Sequence, residues 1–128
     1  MPAIVLLAAA ILMALIWATD LTATLGAHPW WSGKVVWIGA PVGLALAWAL
    51  TMRFGAGLRS ALFLLALGLA GSAAYFGKVV FVTSFAGNTL AGQFWFFGWI
   101  ASMAALAGLL ANVFARLYGW IRARQPEA

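Results

Sequence analysis

Asp20 and Lys78 are the residues of this chain best placed to do chemistry, because each carries a charge within an otherwise apolar stretch. An ionisable group in hydrocarbon is costly to keep, so it marks a functional site and calls for a partner. Asp20 lies late in the first apolar run, among Thr19, Thr22 and Thr24, and Lys78 lies at a similar depth in the third run. Lys78 also continues a stripe of Gly71 and Ala74 at helical spacing, which points it toward other helices. Two arrangements follow: an intramembrane ion pair between Asp20 and Lys78, or a lysine that snorkels to the boundary while Asp20 bonds to its own threonines and water. The boundary position favours the second. Proton transfer needs a chain of ionisable groups, and no second acid lies in the apolar runs, since Glu127 stands in the polar tail.

The remaining candidates narrow the field further. His28 is the sole histidine and there is no cysteine, so one chain cannot ligate a haem from both sides or complete a zinc site, and no metal site is expected. No nucleophile, base and orienting acid can be assembled from one histidine, one membrane aspartate and no cysteine, and no glycine-rich phosphate loop is present, so no catalytic residue is expected and the chain reads as a non-enzyme. No cofactor is required, although the aromatic run FWFFGW (Phe94 to Trp99), with Phe76, Phe81 and Phe85, forms a wall that a lipid, quinone or pigment could lie against. Asn112 should face another helix and act as hydrogen-bonding glue.

These residues need helices to position them, and composition says which kind. Of 128 residues, 66% are apolar and 7% charged, with a mean hydropathy of +1.06, far from the profile of a soluble domain. Strict alternation of a β-barrel strand is missing, and segments such as Ala61 to Ala70 (ALFLLALGLA) are rich in Ala, Leu and Gly, so the fold class is all-α. The expectation is an integral membrane four-helix bundle of two antiparallel hairpins, forming one domain over residues 1–128. Its spans fall at about 3–25, 34–52, 60–82 and 93–118, close to the roughly 20 residues that cross hydrocarbon, with 119–128 as a tail. GAHPWWSG, RFGAGLR and TSFAGNTLAG supply the turns. A cleavable signal peptide is the rival reading of the first span, but it lacks a basic start and its apolar stretch is too long.

Five arginines (Arg53, Arg59, Arg116, Arg122 and Arg124) fall on the side of the termini and two lysines (Lys34 and Lys78) on the other, which places both termini in the cytoplasm by the positive-inside rule. Trp30, Trp31, Trp37, Trp95 and Trp99 then gather at the outer boundary and Tyr118 and Trp120 at the inner one, where amphipathic rings anchor. Helices in lipid associate through close approach of small residues, so packing faces are expected at Gly39 and Gly43, at Gly71 and Ala74, and at Gly98, Ser102, Gly108 and Asn112. The net charge of +5 is scattered over span ends, which argues against nucleic acid and for topology.

The function expected is that of a small multi-pass inner-membrane protein, a structural, accessory or assembly subunit whose partners are the bilayer and another membrane protein or copies of itself. The alternative is a homo-oligomeric channel, holin-like pore or small transporter with a pathway lined by Asp20, Lys78 and Asn112. The cytoplasmic membrane of a bacterium is the expected location.

Overall fold

Long runs without a charge leave the helix as the backbone arrangement that satisfies its own amides away from water. The computed structural model, which describes residues 1–126, has five helices: α1 (Ala3–Ala18), α2 (Leu21–Thr24), α3 (Ser32–Leu50), α4 (Ala56–Thr83) and α5 (Thr89–Ala123), with no strand among the described residues. Three of them, α3, α4 and α5, are long and apolar enough to cross a membrane, which marks the chain as a membrane protein. Helix α1 is apolar but shorter. Its 16 residues rise about 24 Å, less than the roughly 30 Å of a hydrocarbon core.

The first expected span is therefore not one helix. Thr19 donates its hydroxyl to the Leu15 carbonyl at 2.8 Å, ending α1, and Asp20 takes a left-handed conformation with φ of 52°. Short polar side chains compete with the helical ladder in this way and tolerate that backbone region better than most. One further turn, α2, completes the stretch. At the other end of the chain α5 runs five residues beyond the expected limit, so Gly119 to Ala123 are helix instead of tail; Glu127 and Ala128 lie outside the described residues.

Helix α5 is the axis of the packing. It lies against α4 on one side and against α3 and α1 on the other. Glycine is needed at its closest approaches. A Cβ at Gly39 would stand 2.6 Å from the Ile100 carbonyl oxygen, and one at Gly43 would fall on the Ala104 carbonyl. On the opposite side a Cβ at Gly77 would stand 2.6 Å from the Trp95 nitrogen, and one at Gly98 2.7 Å from the Ala74 nitrogen. Gly108 instead receives the Phe63 ring. Backbone contact of this kind replaces the hydrophobic drive that helices lack in lipid. Val5, Ala9 and Met13, four residues apart on α1, form the buried face of that helix. Pro41 lies inside α3 without ending it.

Of the expected packing positions, Gly39, Gly43, Ala74, Gly98, Ser102, Gly108 and Asn112 are buried. Gly71 is not. A Cβ there would meet nothing within 4 Å, because α4 touches α5 through Ala74 and Gly77 and turns Gly71 toward open space.

Candidate functional site

The connections α1–α3 and α4–α5 share one end of the molecule, and Trp95 is the residue that joins them. Asn88 caps the start of α5 by accepting a hydrogen bond from the Ala91 amide at 3.0 Å, which fixes the first turn of the helix. Trp95 follows on that helix and is 6% exposed. Its Nε1 donates to the Gly26 carbonyl at 3.1 Å. Gly26 has φ of 120°, a conformation that side chains resist, so glycine is required for the turn that presents this carbonyl. Around the Trp95 ring stand Trp31 at 5.2 Å, His28 at 5.7 Å and Phe81 at 5.7 Å between centroids, within the range of favourable aromatic pairs. The His28 Nδ1 accepts from the Trp30 amide at 3.1 Å, leaving Nε2 to carry the proton of the neutral ring.

Lys78 meets this cluster from α4. Its Nζ lies 5.8 Å from the Trp95 centroid, a cation–π distance. The same ammonium lines a groove of about 720 Å³ that runs between α4 and α5, one turn short of the groove's end at Val82 and Thr83. From α4 the wall is Leu67, Gly71, Tyr75, Lys78 and Val82, one face of the helix. From α5 it is Trp95, Trp99, Met103 and Leu106. Apart from the Lys78 and Tyr75 side chains the wall offers few polar atoms, since Ser102 spends its hydroxyl on the Gly98 carbonyl at 2.7 Å.

Asp20 is elsewhere. Ser32, the first residue of α3, donates its hydroxyl to Asp20 Oδ1 at 2.7 Å, and Thr22 donates to the Ser32 carbonyl at 2.8 Å. The carboxylate thus sits at the positive end of the α3 dipole and ties the α2 turn to α3. At the opposite end of the molecule Asn112 is fully buried. Its carbonyl oxygen accepts from Arg59 Nε at 3.0 Å, and its amide donates to the Ala56 carbonyl at 3.1 Å and to the Ser60 hydroxyl. Arg59 also donates to the Phe54 carbonyl at 2.7 Å, so one side chain of α5 fixes the start of α4 and the loop before it.

Comparison with protein-family models, curated proteins and solved structures finds no match to this chain.

The structure holds Asp20, Lys78 and Asn112 in three separate places. Asp20 is held by Ser32 and Lys78 stands over Trp95, without an ion pair between them. Asn112 is remote from both and acts as an interhelical bond. Among the described residues no three His, Cys, Asp or Glu side chains come together as metal ligands. The aromatic residues also divide. Trp30 and Trp37 are exposed, and Tyr118 and Trp120 carry the guanidinium groups of Arg122 and Arg124. Trp31 and Trp99 are half-buried, and Trp95 is a core residue, because Gly77 brings α4 against its backbone. Arg59, Ser32 and Gly77 are the positions that sequence reasoning missed. For Arg59 a signal existed: Arg59 and Asn112 are 53 positions apart and almost symmetric about Ala86, the middle of the α4–α5 turn.

Proposed function

We propose that this chain is a small multi-pass protein of a bacterial cytoplasmic membrane, serving as a structural, accessory or assembly subunit of a larger membrane complex. In this reading α1, completed by the α2 turn, crosses with α3, α4 and α5 to make a four-helix bundle. The five arginines lie at the end that carries the termini and the α3–α4 loop, which favours both termini in the cytoplasm.

The observation that carries the proposal is the exposure of α4. Only 11% of its most apolar stretch is buried, against 44% for α5, and its extensive contact is with α5 alone. Gly68 and Ser72, one turn apart on that helix, are exposed, and a Cβ at Gly68 would meet nothing within 4 Å. Small residues at this spacing let a second helix approach closely, and here they serve no contact inside the chain. Every buried side-chain nitrogen and oxygen among the described residues has a hydrogen-bond partner, so polar chemistry is spent on the fold.

A pore between copies, lined by Asp20, Lys78 and Asn112, draws less support. Asn112 would have to break its bonds to Arg59, Ser60 and Ala56 to reach a pathway, and it lies at the opposite end of the molecule from Asp20 and Lys78. Purification of the tagged chain in mild detergent, at its natural expression level, tests the proposal. A stoichiometric larger membrane protein should accompany it. Migration as a small species without a companion overturns the reading.

A further inference from the structure

We propose that the groove between α4 and α5 is a binding site for an anionic phospholipid, with its phosphate at Lys78 and an acyl chain lying along the α4 face toward Leu67. Three observations converge on this occupant. The first is charge. Lys78 makes no hydrogen bond within the described residues, and Asp20, the one acid among them, is held by Ser32. An ammonium placed over the Trp95 ring in the wall of the groove, with Val82 and Thr83 a turn beyond it, is thus left for an anion from outside the chain.

The second is length. From Lys78 to Leu67 the wall descends eleven residues of helix, about 16 Å at 1.5 Å each. Half of a hydrocarbon core is about 15 Å. A lipid chain that begins at the ammonium therefore ends near the mid-plane, where the groove also ends at Leu67 and Leu106. The third is the shape of the floor. Gly71 lies on this face with open space where a side chain would stand, and the volume of about 720 Å³ falls within the roughly 300 to 1,000 Å³ of ligand sites. Tyr75, exposed on the same wall, stands one turn from Lys78 toward Leu67.

Two substitutions divide the site into its parts. Lys78→Gln removes the charge and keeps much of the stem; Gly71→Leu fills the apolar seat without striking the protein. The purified chain is equilibrated with mixed micelles of phosphatidylglycerol and phosphatidylcholine, and lipid retained per chain is read by native mass spectrometry, with helical content and thermal unfolding measured beside it. The natural chain should retain one phosphatidylglycerol in preference to phosphatidylcholine. Lys78→Gln should lower that preference by about tenfold, the scale of a lost charge-assisted bond, and Lys78→Arg should restore it. Gly71→Leu should lose retention of both lipids while unfolding no earlier than the natural chain. Equal retention of the two lipids by the natural chain overturns the proposal, as does unchanged retention in Gly71→Leu. Loss of a companion polypeptide from Gly71→Leu with phosphatidylglycerol retained also overturns it, since a protein helix would then be the occupant.

Discussion

Asn112 shows how much one polar side chain can fix when no water competes for it. Its amide has a donor end and an acceptor end, and both are used: Arg59 donates to the oxygen, and the nitrogen donates to Ala56 and Ser60. An interhelical hydrogen bond in a membrane protein contributes about 0.6 to 2 kcal/mol, and a buried group left without its partner costs about 1 to 3 kcal/mol. Asn112→Ala, which removes the amide and adds no bulk, should therefore destabilise the chain by about 2 kcal/mol. The loss is read from the unfolding midpoint in a denaturing detergent titration, and an unchanged midpoint would show that the bonds contribute nothing net. The role of Asn112 as glue was legible from its type and its stripe. Its partners were not, because Arg59 was read only as a charge at a span end, and charge counting does not see a donor across the hairpin. Asp20 teaches the converse. A carboxylate near the end of an apolar run left two partners open, a cation or nearby hydroxyls, and the hydroxyl it meets is that of Ser32 at the start of α3, at 2.7 Å, not one of its own threonines.

Among elements, the small residues divide into those that hold helices together and those that do not, and the sequence alone cannot sort them. Their spacing was visible, but not which helices they join: Gly39 and Gly43 meet α5 from α3, and Gly98 meets α4. Direction was ambiguous where two small residues stand on adjacent faces, as Gly71 and Ala74 do; a rotation of one helix by a few tens of degrees decides which is buried. The helix ends were legible to within a few residues for α3 and α4, whereas the break at Asp20 depends on hydroxyls of Thr19 and Thr22 that choose between their own helix and a neighbour. The sorting has a direct consequence for stability. Gly43→Val places atoms on the Ala104 carbonyl and should push α3 off α5, costing about 3 kcal/mol or more, in the range of severe overpacking. Gly68→Ala, on the exposed side of α4, should be neutral or raise stability by up to about 1 kcal/mol through helix propensity. Thermal unfolding of the two variants in one detergent gives the comparison, and similar midpoints would refute the assignment of close contacts.

For the whole molecule, the arrangement in the bilayer follows from lengths and charges, and it can be read chemically because the chain has no cysteine. Helix α4 has 28 residues and rises about 42 Å, more than the roughly 30 Å of hydrocarbon, so the turns at its two ends should lie on opposite faces of the membrane. Phe85 stands in the α4–α5 turn and is 96% exposed; Phe54 precedes α4 and is 40% exposed beside Arg53 and Arg59. Positively charged short loops are retained in the cytoplasm, so the orientation proposed above expects Phe54 inside and Phe85 outside. Phe85→Cys should react with a membrane-impermeant maleimide in intact cells, and Phe54→Cys only after the cells are permeabilised. Reaction of both from outside would mean that α4 does not cross. The reverse pattern would keep the crossing and invert the orientation, moving Lys78 and its end of the groove to the cytoplasmic leaflet.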